Sequence, residues 1–269
     1  MAVLALPLAL ALASSACGRF GFGEQGGGAR DAAIDAARAI EHVQATAIMA
    51  DLSSTEPLVL PAPQAAGDFI VVYAAGWSDG SISWDIPSIS DNVGDAYHLA
   101  AEVTTTSACG QSTGVAAVAI YFASAITAHA GARTITLAPT ETGSTIEITA
   151  MAVEYAGLPM GALDRQASHE TVSAPSPMTF DTGTTATTTA PTELLAAVGT
   201  ICSGYPGDVS FADASGFSIL AQEGGTNLVS PGVASERLVS ATGAYSAAWT
   251  ATYAGTPSGP AIAAIATFK

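Results

Sequence analysis

The chain has 269 residues, of which 49% are hydrophobic and only 11% charged, against about 25% charged in an average soluble domain. Its formal net charge is −16 and it holds a single lysine, Lys269, so it lacks the Lys/Arg cluster that nucleic-acid binding draws on. Nucleic acid is thereby excluded as a partner, and any association with an anionic membrane surface has to be covalent or apolar.

The first element is a leader. MAVLALPLALALASSAC contains an apolar run of about a dozen residues, long enough for a signal h-region and too short to span a bilayer. Ser14, Ser15 and Ala16 precede Cys17, an arrangement that resembles a bacterial lipobox. Cleavage after residue 16 would leave the Cys17 thiol to carry diacylglycerol and a membrane anchor. The alternatives are an ordinary secretory leader cut near Ala16 and a buried N-terminal segment. Gly18 carries no inner-membrane retention signal, so the expected location is the outer membrane or cell surface, lipid-anchored, and otherwise secreted. Residues 17–42 read as a disordered tether, with GRFGFGEQGGGAR as flexible linker. DAAIDAARAIEHV, residues 31–43, is the one candidate for a short helix. Asp31 could cap it, and its narrow apolar face is Ile34, Ala37 and Ile40.

From residue 43 to 269 the pattern is β. DFIVVYAAG, VAAVAIYFA, TIEITAMAVEY, ELLAAVGTI, YSAAWTATY and PAIAAIATF are rich in β-branched and aromatic residues, and turn clusters separate them. About a dozen strands are expected, in an antiparallel jelly-roll-like sandwich. Two internally similar halves, about 43–160 and 175–269, follow one another. Residues 66–76 parallel 191–201, 90–100 parallel 211–221, and 114–125 parallel 232–243. Further on, 134–139 match 247–255 and 150–155 match 264–269. GLPMGALDRQASHETVSAPSP reads as the linker between them. The halves could pack as one sandwich, which is the favoured reading, or stand alone as two small domains.

Five stretches carry a family resemblance: EYAGL with ALDR, TTTAPTELLAAVGT, DASGFSIL, SERLVSATGAYSAAWTATY and the closing AIATFK. In this order they resemble a bacterial extracellular β-sandwich domain of secreted and surface proteins. The resemblance covers nearly all of residues 43–269. It implies location, fold and a non-catalytic role, and it transfers no catalytic residue.

Candidate chemistry is sparse. GWSDG, residues 76–80, fits G-x-S-x-G, but no helix follows Ser78, so a strand-end loop is expected rather than a nucleophile elbow. Asp91, Asn92 and Asp95, with Asp79 and Asp85 nearby, could supply oxygen ligands to calcium. Their spacing matches no EF-hand loop, and DNVG is also a good turn. His42, His98, His129 and His169 are too dispersed for zinc. Trp77, Trp84 and Tyr205 could form a ligand-binding face for sugar rings at one sandwich end, whereas Trp249 sits in an alternating strand and reads as core. Glu236 and Arg237 are expected inside a strand, facing opposite ways and structural. Cys109 and Cys202 could form a disulfide outside the cytoplasm. The resulting expectation is a non-enzymatic, surface-anchored lipoprotein without a resident cofactor. Its partners would be the membrane, through Cys17, and a glycan or surface protein. The alternatives are a secreted hydrolase and a structural coat subunit.

Overall fold

The computed structural model describes residues 39–51, 57–78, 88–106, 109, 114–138, 146–158, 162–172, 175–202, 209–224, 231–254 and 259–269. Cys17, most of the tether and most of the expected helix lie outside them; the tether's last residues, 41 and 42, are in β1. Every regular element among the described residues is a strand, and there are sixteen where about a dozen were expected. The first eight are β1 (Glu41–Asp51), β2 (Pro57–Leu60), β3 (Phe69–Ser78), β4 (Ser88–Asp91), β5 (His98–Thr104), β6 (Val115–Ala123), β7 (Arg133–Ala138) and β8 (Ile146–Ala156). The second eight are β9 (Leu163–Thr171), β10 (Met178–Asp181), β11 (Glu193–Ile201), β12 (Ser210–Asp213), β13 (Ser218–Glu223), β14 (Gly232–Val239), β15 (Ala248–Thr252) and β16 (Ala261–Phe268).

The internal repeat is a repeat of topology. Strands of the first half form a five-stranded sheet, β1-β8-β3-β6-β5, and a three-stranded sheet, β2-β7-β4. Adding eight to each label reproduces the other two sheets, β13-β14-β11-β16-β9 read backwards and β10-β15-β12. All pairs are antiparallel, and each half has a jelly-roll-like order in which successive strands alternate between sheets except at β5–β6 and β13–β14, which pair with each other. The irregularities repeat as well. A bulge at Val43, between His42 and Gln44 of β1, recurs at Asp164 in β9, where Leu163 and Arg165 flank it. The register shift between Leu99 and Ala101 recurs between Ile219 and Ala221. The pairing also corrects one alignment. Ile70 faces Ala123 and its counterpart Leu195 faces Arg237, so Arg237 matches Ala123, where the sequence comparison set Ala241.

The two halves stack through their five-stranded sheets, giving four layers. This explains why the central strands read as unbroken apolar runs: they are covered on both faces. In β3, Phe69, Val71 and Tyr73 enter the core between the halves, while Ile70, Val72 and Ala74 enter the core of the first half. In β11, Leu194, Ala196 and Val198 face the other half, and Leu195 and Ala197 face their own outer sheet. The outer strands have one wet face and alternate: β7 buries Ile135 and Leu137 and leaves Thr134 and Thr136 half-buried. Phe69, Phe122 and Phe268 meet across the halves with ring centroids 5.0 to 5.6 Å apart. Gly199 is required by packing, since a Cβ there would lie 2.7 Å from the Phe180 ring.

Two expectations change. Residues 41–43, the end of the expected helix, open β1, where pairing with β8 outweighs the local Ala and Arg propensity. The stretch read as a linker contains β9, which closes the second sheet beside β16. The antiparallel β-sandwich expected for the body is present, built as two eight-stranded sandwiches that share a middle core.

Candidate functional site

Strand ends set the geometry. Cys109 follows β5, Cys202 follows β11, and the two are joined by a disulfide with Cα atoms 5.2 Å apart. This bond links the halves and puts the C-terminal ends of β5 and β11 on the same side of the stack. Trp77 is half-buried near the end of β3, on the face that continues Phe69, Val71, Tyr73 and Ala75, and it packs against the middle core. Trp84 and Tyr205 lie outside the described residues, as do Asp79, Asp85 and the Ser78 side chain. Trp249 is fully buried, with its indole N–H donating to Ser235 Oγ at 2.9 Å.

Asp91, Asn92 and Asp95 come together, but around an arginine. Asp91 Oδ1 accepts the backbone N–H groups of Val93, Gly94 and Asp95, at 2.9, 2.6 and 3.2 Å. The buried Arg133 guanidinium donates to Asp91 Oδ2 and Asp95 Oδ2, and also to the Thr127 carbonyl at 2.7 Å. Asn92 Oδ1 accepts from Thr134 N–H at 2.9 Å. Burial opposes the Asp91 charge, but the Gly94 and Val93 N–H groups and Arg133 outweigh it and hold the carboxyl below its ordinary range. The positive charge that calcium would have brought is supplied from within the chain. In the second half Asp213 builds the same turn from Ser215, Gly216 and Phe217, without an arginine at the Arg133 position.

A second polar chain crosses the middle core. Tyr155 OH donates to Glu236 Oε2, Tyr73 OH and Tyr155 OH are 3.3 Å apart, and His42 Nδ1 lies 3.4 Å from Glu236 Oε1. Burial is the main cause that pushes both phenols far above their ordinary range, with the Glu236 charge adding to it at Tyr73, and Tyr73 and then Glu236 adding to it at Tyr155. Glu236 thus ties β14 of one half to β1, β3 and β8 of the other, while Arg237 points the opposite way to the Ser215 carbonyl. Beside this chain a cleft between the sheets is lined by Ala47, Ala75, Met151, Ala221, Gly232 and Ala234. Its cavity volume of about 20 Å³ suits a water molecule, far below the several hundred Å³ of a small-molecule pocket.

Two carboxyl pairs complete the inventory. Gln44 Nε2 donates to Glu154 Oε2 at 2.6 Å, and buried Oε1, without a donor, belongs to a carboxyl that neighbours the buried Asp68. Burial, reinforced by Asp68, pushes Glu154 up to about 7 against the pull of Gln44. In the second half, buried Glu193 and Asp164 form the other pair. Sequence reading singled out none of Arg133, Glu154, Tyr155, Asp164 or Glu193. The available signal was a charge inside an otherwise apolar strand, as in MAVEY and TELLAAV, in a chain with so few charges. Among the described residues no group of three or more His, Cys, Asp or Glu side chains is placed to hold a metal ion. No family model, curated protein or solved structure matches this chain.

Proposed function

We propose that this chain is a surface-displayed, non-catalytic module, anchored through Cys17, that binds a glycan or another surface protein. The binding surface is the end of the stack where β3, β5 and β11 finish. The observation that carries the reading is the Cys109–Cys202 disulfide, since such bonds persist in oxidising, extracytoplasmic compartments. It also braces the end from which the chain segments holding Trp84 and Tyr205 depart. Half-buried Trp77 at that end supplies an aromatic face of the kind that stacks on sugar rings. Low charge density and the leader ending at Cys17 support display outside the cytoplasm.

Two measurements test the reading. Metabolic labelling with palmitate is expected to mark the wild-type chain and not a Cys17→Ala variant; equal labelling of both sinks the anchor. On a glycan array the secreted chain is expected to bind a defined set of glycans and lose them in Trp77→Ala. No glycan bound, together with no surface protein captured by crosslinking on the producing cells, sinks the binding role.

A further inference from the structure

The lone lysine of this chain sits on an acid pair. Lys269 follows β16, the last strand of the second half, and its Nζ lies 3.1 Å from Asp164 Oδ1 and 2.7 Å from Thr189 Oγ1. Asp164 stands at the bulge of β9, the first strand of that half. The bulge re-aims its side chain, which is only 2% exposed. Its counterpart in the first half is the exposed Val43, which has no carboxyl to offer.

Donors surround the Asp164 carboxyl group. Thr189 Oγ1–H donates to Oδ1 at 2.7 Å and Thr189 N–H to Oδ2 at 2.6 Å. Arg165 approaches Oδ1 at 3.6 Å. Glu193 of β11 stands beside the same carboxyl group, and although burial opposes the charge, Thr189, Lys269 and Glu193 together hold Asp164 well below the usual carboxylate range. Glu193 is fully buried; Ala190 N–H donates to its Oε1 at 3.1 Å, and its Oε2 has no conventional donor. Burial, and then the neighbouring Asp164, push its carboxyl up against the pull of Thr267 and the Ala190 N–H. A lysine ammonium 3.1 Å from a carboxyl oxygen, donors on both oxygens of that carboxyl and a buried carboxyl beside it are the groups an acyl-transfer site assembles. The leaving group here is water.

We propose that Lys269 and Asp164 join their side chains in an intramolecular amide, with Glu193 as the proton carrier. The Nζ–Cγ bond forms and one Cγ–O bond of Asp164 breaks. Of the three ammonium protons one stays on the amide nitrogen. The other two leave with the departing oxygen as water: Glu193 gives its proton to that oxygen and regains one from Nζ. No oxidant or co-reactant is consumed. The amide closes the first strand of the second half onto its last, and the inference does not depend on where the protein resides or what it binds.

Mass spectrometry of the purified full-length product, reduced at its disulfide, decides the matter. The wild-type chain is expected to weigh one water less than the sum for its own N-terminus. Proteolysis should yield a branched peptide joining the segments that contain Asp164 and Lys269. Lys269→Arg keeps a cation against Asp164 but removes the amine, and it is expected at full mass. Glu193→Gln is expected at full mass with an unchanged circular dichroism spectrum. A wild-type chain at full mass overturns the amide, as does a water loss that persists in Lys269→Arg. Full crosslinking in folded Glu193→Gln overturns the role of Glu193.

Discussion

Arg133 has no solvent exposure, and two carboxylates, of which Asp91 is also fully buried, are ion-paired to it. Removing one partner of such a group leaves uncompensated buried charge. Arg133→Ala is therefore expected to cost about 3–5 kcal/mol, read as a lower urea midpoint at unchanged slope. Glu154 acts in the opposite sense. Its carboxyl is raised to about 7 in the folded chain, above its ordinary value of 4.5. The native state then binds more protons than the unfolded state between those two values, so the contribution of Glu154 to stability is complete below pH 4.5. That contribution is lost as pH rises through about 7. Glu154→Gln keeps the shape and accepts no charge. Its unfolding free energy, measured by denaturant titration from pH 4 to 8, is expected to lack this decline and to exceed that of the wild type above pH 7.

Elements repeat here with their defects. Gly94 and Gly216 occupy the same turn after β4 and β12, at φ of 92° and 81°, where a side chain is strained whatever the space. Gly94→Val and Gly216→Val are each expected to destabilise by about 1–3 kcal/mol. The two turns belong to separate sandwiches and share no partner, so the double variant should show the sum of the two losses; a clear departure from additivity in denaturant titrations would show that the turns are coupled. The DASG and DNVG turns were legible because Asp followed by Gly is a turn signal with a mechanism. The four-residue slip in matching β6 to β14 was not legible. Both segments begin with Gly-Val-Ala, and only pairing with β3 and β11 shows which residues correspond.

At the scale of the molecule, a middle core and one covalent bond hold the two sandwiches together. The Cys109–Cys202 bond spans a sequence separation of 93, a loop whose closure is worth up to about 4–5 kcal/mol through chain entropy. The Cys109→Ser, Cys202→Ser double variant should therefore melt at a lower temperature, and a reducing agent should shift the wild type toward it and leave the variant unmoved. Melting of the wild type that is indifferent to reduction would remove the bond from the stability argument. The middle core sets a second constraint. Its strands carry small residues, such as Ala75, Ala196 and Ala264, beside the Phe69, Phe122 and Phe268 cluster, so added volume there has to displace a facing sheet.

Composition and period alone determined that the body is β, that it repeats, and where the strongest strands run, because the side-chain pattern follows from local geometry and from the need to bury apolar surface. The cysteine pair was legible as a candidate for the same reason, two thiols in a chain read as extracytoplasmic. The number of layers was implicit in the unbroken apolar runs, but a run of that kind reports two covered faces and not what covers them. Only the tertiary structure decided that the cover is the other half of the chain, that β9 completes the second sheet, and that Arg133 answers the Asp91 turn. It alone brought Asp164, Glu193 and Lys269 to one point. Those meetings join residues tens to more than a hundred positions apart, and their cost or benefit arises from desolvation and charge pairing at distances that no local pattern encodes.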